Sequence, residues 1–123
     1  ATSSRSFRSV LHRPGRLLLL GLTAMLPLHG AYAQERVTIA NGIPCDKLEV
    51  EMGQAITVDL VDEALSKDDY DAITVCHNET STGVMNPIKD IAAMIHDKYP
   101  DVLILVDAVS GMAGSRIEFD AGG

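Results

Sequence analysis

Two hydrophobic periods take turns along the second half of the chain. Leu48-Glu49-Val50-Glu51 sets apolar against charged residues in strict alternation, which predicts a short half-exposed strand. From Thr57 the period lengthens, and Leu60, Val61, Ala64 and Leu65 fall on one stripe of a helix running to Lys67. Thr57 is placed to cap that helix, while Asp59, Asp62 and Glu63 suit the positive end of its dipole. Asp68-Asp69 breaks it, and Ala72–Cys76 follows as a compact strand. Beyond a polar loop at His77–Gly83, Asn86-Pro87 predicts a helix start, with Asn as cap and Pro at the first helical position. Ile88, Ile91, Ala92, Ile95 and Tyr99 then mark one buried helix face, which Pro100 ends. Val102–Val106 is apolar at every position, as a strand buried on both faces must be, and Asp107 closes it.

The order is β-α-β-α-β, which predicts an α/β fold built on a parallel sheet with right-handed crossovers. In such sheets ligands sit beyond the C-terminal strand ends. Two polar groups land there: the loop His77-Asn78-Glu79-Thr80-Ser81-Thr82-Gly83, and Asp107 with Ala108-Val109-Ser110.

The first 34 residues follow another pattern. Arg5, Arg8, Arg13 and Arg16 stand without any acidic partner, and an apolar run, Leu17–Leu28, leads to Ala31-Tyr32-Ala33. A basic stretch, an apolar core of about 12 residues and a small-x-small site describe a secretory signal peptide. The run falls short of the roughly 20 residues a membrane-spanning helix needs. Two other readings stay open: an organelle transit peptide, since the segment is Arg- and Ser-rich, or an artefactual leader joined to the coding sequence. The expected division is therefore 1–34 as leader and 35–123 as folded part.

Charge sharpens that division. The 123 residues carry a net −7, but residues 1–34 hold +4 and residues 35–123 hold −11. An acidic body repels phosphate backbones, which excludes nucleic acid as a charge-recognised partner. With aromatics at 4% and no Trp, base-stacking surfaces are excluded as well. Two cysteines make no disulfide framework, and no His/Cys pair has metal spacing. Cys76 reads as core, and Cys45 follows Pro44 in a loop.

Asp107 has two readings. It can end its strand and cap the next turn, or it can hold a carboxylate against a cationic ligand group through a charge-assisted hydrogen bond. The loop 78–83 is likewise a turn-and-cap cluster or a binding loop. The full strings say more than their composition. His77-Asn-Glu-Thr-Ser-Thr-Gly-Val-Met-Asn-Pro87, followed at a twenty-residue spacing by Asp107-Ala-Val-Ser110, resembles the class V aminotransferases. The similarity is to their serine–pyruvate and alanine–glyoxylate group, and it covers residues 42–122.

The resemblance implies a partial large domain of a fold-type I enzyme that uses pyridoxal 5'-phosphate (PLP). It implies exchange of an amino group between an amino acid of alanine or serine type and a 2-oxo acid of glyoxylate or pyruvate type. Asp107 matches the family Asp that pairs with the protonated pyridine nitrogen. Thr80 matches the Ser/Thr that bonds the cofactor near its ring hydroxyl, and Asn78 lies in the same segment and is a candidate to share that role. Val109 matches the apolar residue against the ring face. The parent enzyme is expected to be a homodimer with no stable membrane span. The family is mainly cytosolic or organellar, in the peroxisome or mitochondrion, in contrast to the signal-like leader.

The departures matter too. The family's Schiff-base Lys follows the Asp in a Ser/Gln-Lys motif, and the sequence has no such motif after Asp107. Lys89 and Lys98 lie on a predicted helix and carry no motif. The upstream turn for the cofactor phosphate and the stacking aromatic are also missing. No catalytic residue is therefore assigned, and the chain alone is expected to be inactive. The alternative is a non-catalytic exported or degenerate remnant without ligand. A phospho-accepting receiver domain lacks its acidic pair and late Lys here, and a nucleotide hydrolase lacks its G-x-x-x-x-G-K-[ST] loop.

Overall fold

The computed structural model describes residues 16–22 and 40–117. In chain order the elements are β1 (Leu17–Leu22), β2 (Cys45–Val50), α1 (Val58–Leu65), β3 (Ala72–Cys76), β4 (Asn78–Glu79), β5 (Val84–Met85), α2 (Ile88–Lys98) and β6 (Leu103–Asp107). Strands β2, β1, β3 and β6 form one sheet in that order, all parallel. A second, two-stranded antiparallel pair joins β4 to β5.

The parallel α/β expectation holds, with one strand more than the hydropathy pattern of residues 47–107 contains. Leu17–Leu22, which hydropathy placed in the leader, lies as β1 between β2 and β3, with Leu18 opposite Ile73. A run of leucines satisfies a signal core and a buried parallel strand equally well, since both need only unbroken apolar length. The basic stretch 1–15 and the Ala31-Tyr32-Ala33 site lie outside the described residues.

Both helices cover one face of the sheet. Ile73 and Val75, two residues apart, point to the same side of β3 and are fully buried. With Leu18 they meet Val61, Ala64 and Leu65 of α1 and Ile91 and Ile95 of α2. Helix α1 is capped as expected, Leu60 N–H donating to the Thr57 hydroxyl at 3.3 Å. Leu60 lies at the rim of its apolar stripe, 36% exposed. The two helices are laced at their far ends. Lys98 pairs with Asp62, and the Tyr99 hydroxyl donates to Asp62 Oδ1 at 2.7 Å. Those two partners hold the Asp62 carboxyl below its ordinary range.

Strand β6 departs from expectation. Val102 stays outside it, and Leu105 and Val106 are 42% and 38% exposed. Continuous apolarity predicted burial on both faces, but among the described residues β6 is the edge of the sheet, with β3 on one side only. The other edge, β2, starts at Cys45, which is half-buried in the strand rather than in a loop. No helix among the described residues is long and apolar enough to cross a membrane.

Arg16 anchors the start of β1. Its backbone N–H donates to Asp71 Oδ2 at 3.1 Å, and Asp71 N–H donates back to the Arg16 carbonyl at 3.0 Å. Its guanidinium pairs with Asp68 and, at 3.0 Å, with Asp46 Oδ2, which also accepts from the Tyr70 hydroxyl at 2.8 Å. Burial and the neighbouring Asp46 push the Tyr70 hydroxyl up to about 12.

Two outcomes follow from this packing. Leu18→Ala should lower stability by about 2–5 kcal/mol, the same range as Ile73→Ala, because each empties a fully enclosed leucine- or isoleucine-sized site. Urea unfolding of the two variants checks this, and an unchanged midpoint for Leu18→Ala would remove β1 from the sheet. Asp62, whose folded carboxyl is depressed, should stabilise the protein above the ordinary carboxylate range, and that stability should fade as pH drops through the lowered value. Asp62→Asn should therefore be less stable than wild type at pH 7 and converge with it in acid, as read by thermal melts across pH.

Candidate functional site

The C-terminal ends of β3 and β6 lie side by side, since Cys76 is paired with Asp107 in the parallel register. One residue further, His77 N–H donates to the Asp107 carbonyl at 2.8 Å, which ties the two exits together. From His77 the chain runs into the β4–β5 hairpin. The sequence pattern predicts an irregular loop here, and the structure closes it tightly instead. Thr82 and Gly83 N–H groups both donate to the Glu79 carbonyl, at 3.2 and 2.8 Å, and Gly83 takes a φ of +72° that a side chain would strain. Glu79 is buried within the hairpin, where its Oε1 accepts from the Ser81 hydroxyl at 3.3 Å.

After β6 the chain turns at once. Asp107 Oδ1 accepts the Val109 N–H at 3.1 Å, so the carboxylate does cap its own turn. Gly111 and Met112 N–H groups both reach the Ala108 carbonyl, at 3.0 and 2.8 Å. This curl leaves Val109 86% exposed, an apolar side chain on a polar rim. It also brings Ser110 back toward the hairpin, where its hydroxyl hydrogen-bonds that of Thr80.

The structure thus gathers the residues singled out from sequence. Thr80 touches the turn that carries Asp107 and Val109, across a gap of about thirty residues in sequence. Asn78 stands at the hairpin base, opposite Met85, and its carbonyl accepts the Cys76 S–H at 3.1 Å. Burial pushes the Cys76 thiol up to about 11, and the Glu79 and Asp107 carboxylates add to that, so the group stays protonated at neutral pH and is a core thiol rather than a nucleophile. Lys98 is engaged with Asp62 at the opposite end of α2. Among the described residues no group of His, Cys, Asp and Glu side chains is arranged to hold a metal ion.

Three participants are absent from the sequence reading or differently placed in it. Ser110 carries the link to Thr80, which no local pattern announces. Asn86, expected to cap α2, does not: the cap position is Pro87, with no side-chain bond, and Asn86 Oδ1 accepts the Ile56 N–H at 2.9 Å while Nδ2 donates to the Cys76 carbonyl at 2.8 Å. Gly111 lies against the His77 imidazole so closely that a Cβ there would stand 2.7 Å from Nδ1. His77 is 7% exposed, and its Nδ1 has no hydrogen-bond partner.

This end of the sheet offers one carboxylate bonded by a backbone N–H, a pair of hydroxyls facing each other and one exposed apolar side chain. A broad open depression at the other end of the sheet, lined by Ser66, Tyr70, Asp71, Lys98 and Pro100 among others, faces the N-terminal strand ends and shares none of these groups.

Comparison with known proteins gives a family from sequence and a fold from shape. An uncharacterized aminotransferase of Methanocaldococcus jannaschii is 45% identical over 75 residues, which cover 60% of this chain and 19% of that one. The alanine–glyoxylate aminotransferase 1 of Saccharomyces cerevisiae is 35% identical over 74 residues, again 60% of this chain and 19% of the relative. The chain thus spans about a fifth of the length of these curated relatives. The crystal structure of ureidoglycine–glyoxylate aminotransferase from Bacillus subtilis superposes with a TM-score of 0.75 at 23% identity, over 88% of this chain and 26% of that one, and so shares its fold. The sequence match to the family, described as aminotransferase class-V, takes in residues 25–123 and so begins inside the expected leader, which leaves a signal peptide without support. That stretch carries the hairpin, the Asp107 turn and three of the four strands of the parallel sheet, and the chain belongs to the class-V aminotransferase family.

Proposed function

We propose that this chain supplies the ring-binding part of a PLP-dependent transaminase site, working on an amino acid of alanine or serine type and a 2-oxo acid of glyoxylate or pyruvate type. The observation that carries the reading is the Thr80–Ser110 hydroxyl contact, which sets the hairpin against the Asp107 turn at the ligand-binding end of a parallel sheet. Residues 35–123 are then part of the enzyme's large domain, with β1 completing the sheet ahead of them.

Each side chain has a definite task in this reading. Asp107 holds a negative charge at the strand end. With Oδ1 bonded to the Val109 N–H, the carboxylate would keep a pyridine nitrogen protonated. Thr80, steadied by Ser110, would offer its hydroxyl to the oxygen on the ring, and Asn78 in the same hairpin would share that contact. Val109, exposed at the turn, would supply an apolar surface for the ring face. PLP, when bound, supplies an electron sink for the charge that develops at the substrate α-carbon. The described residues fit the ring and leave its phosphate and its covalent anchor to other parts of the enzyme. No lysine follows Asp107 in this sequence, so the 123-residue chain by itself is expected to show no transaminase turnover.

Titration of the chain with PLP, followed by the cofactor's absorbance, tests the assignment. Asp107→Asn should weaken binding by about tenfold or more, as expected for loss of a charge-assisted bond of roughly 1.5–3 kcal/mol. Thr80→Ala should cost less, about 1 kcal/mol, for a neutral hydroxyl contact. Equal affinity of the Asp107→Asn and wild-type chains would take Asp107 out of the site.

A further inference from the structure

Asn86 is a buried amide with four hydrogen bonds, and they run to four different places. Its Nδ2 donates to the Cys76 carbonyl at 2.8 Å and its Oδ1 accepts from the Ile56 N–H at 2.9 Å. Its backbone N–H donates to the His77 carbonyl at 2.9 Å, and its carbonyl accepts the Ile88 N–H at 2.8 Å. The β4–β5 hairpin leaves the sheet at His77 and returns at Asn86, so two of these bonds lie across its base. The third ties that base to the segment entering α1, and the fourth to the start of α2.

None of these bonds caps α2, whose cap position is Pro87 with no side-chain bond. The hairpin itself is short, with two residues in each strand, and has little packing of its own to set its height above the sheet. Thr80 stands three residues from its base, exposed, with its hydroxyl on Ser110. We propose that Asn86 is a positioning residue that fixes the base of the hairpin and thereby holds the Thr80 hydroxyl against Ser110 and the Asp107 turn. The inference rests on the reading of this hairpin as part of a PLP site, and it adds a residue that touches no ligand.

Asn86→Asp is the informative change. It keeps size and the oxygen that faces Ile56, but it turns the donor toward Cys76 into an acceptor, leaving two oxygens opposed. Hydrogen exchange on the 123-residue chain reads the geometry without any ligand. In the wild type, the Asn86 side-chain NH2 and the Ile56 amide should both be protected. In the variant, the Gly83 and Asn86 amides should exchange about tenfold faster or more, while Val75 and Ile91 in the sheet and helix keep their protection. Unchanged hairpin exchange, or equal loss of protection throughout the core, would overturn the proposal. Unprotected Asn86 NH2 protons in the wild type would also overturn it, even if the variant failed to fold.

PLP titration then separates this role from the site assignment. Asn86→Asp should weaken PLP binding about as much as Thr80→Ala, and the double variant should be no weaker than Thr80→Ala alone, because one acts through the other. Additive losses would overturn the proposal. Should PLP fail to bind the wild type, the site reading fails by itself, and the exchange pattern still decides whether Asn86 holds the hairpin.

Discussion

Everything at the C-terminal end of the sheet depends on the parallel register of β3 with β6. Ile73 opposite Ile104 and Val75 opposite Val106 put one set of side chains toward the helices, while Thr74 opposite Leu105 and Cys76 opposite Asp107 put the alternate set on the other side. A shift of one residue would exchange the two sets, sending Asp107 toward the helices and Ile104 away from them. The buried pair Ile73 and Val75, enclosed with Ile91 and Ile95, makes that shift costly. The core therefore selects the position of a carboxylate that contributes little to the core itself.

The two ends of the sheet are held by different chemistry. At the N-terminal strand ends, Arg16, Asp46, Asp68, Tyr70 and Asp71 form a partly exposed ionic cluster that fastens β1 to its neighbours. Exposed ion pairs of this kind contribute modestly in water, so the buried leucine at position 18 is the stronger attachment. At the C-terminal ends the bonds are mostly backbone: His77 to Asp107, Asn86 to His77, and the curl of N–H groups around the Ala108 carbonyl. Thr80, Val109 and Asp107 stand at this end, with Thr80 bonded to Ser110 and Asp107 to the Val109 N–H.

His77 is closely enclosed at that end of the sheet. The imidazole is enclosed, and Gly111 passes over it where a Cβ would stand 2.7 Å from Nδ1. A glycine at this position lets the turn after β6 close down on the hairpin side of the sheet. Asn86 does the same from below by spending its side chain on the sheet rather than on the helix it precedes. The protein accepts an uncapped α2, with Pro87 at the cap position, in exchange for a fixed hairpin base.

Much of this was legible from the chain by itself. The strand at Ala72–Cys76, both helices, the Thr57 cap and the α/β class rest on local periodicity, and local periodicity survives folding. The paired strings around Thr80 and Asp107 were legible as well, because a recognisable motif needs only residue order. Tertiary structure alone decided the rest. Leu17–Leu22 reads as apolar length until a sheet receives it, and Leu103–Asp107 reads as fully buried until its place at an edge of the sheet is known. Asn86 reads as a cap because its partners, Ile56 and Cys76, lie thirty and ten residues away. Ser110 likewise meets Thr80 only because two parallel strands end at the same height. Periodicity reports which face of an element seeks burial, but which surfaces meet is settled by contacts between distant segments.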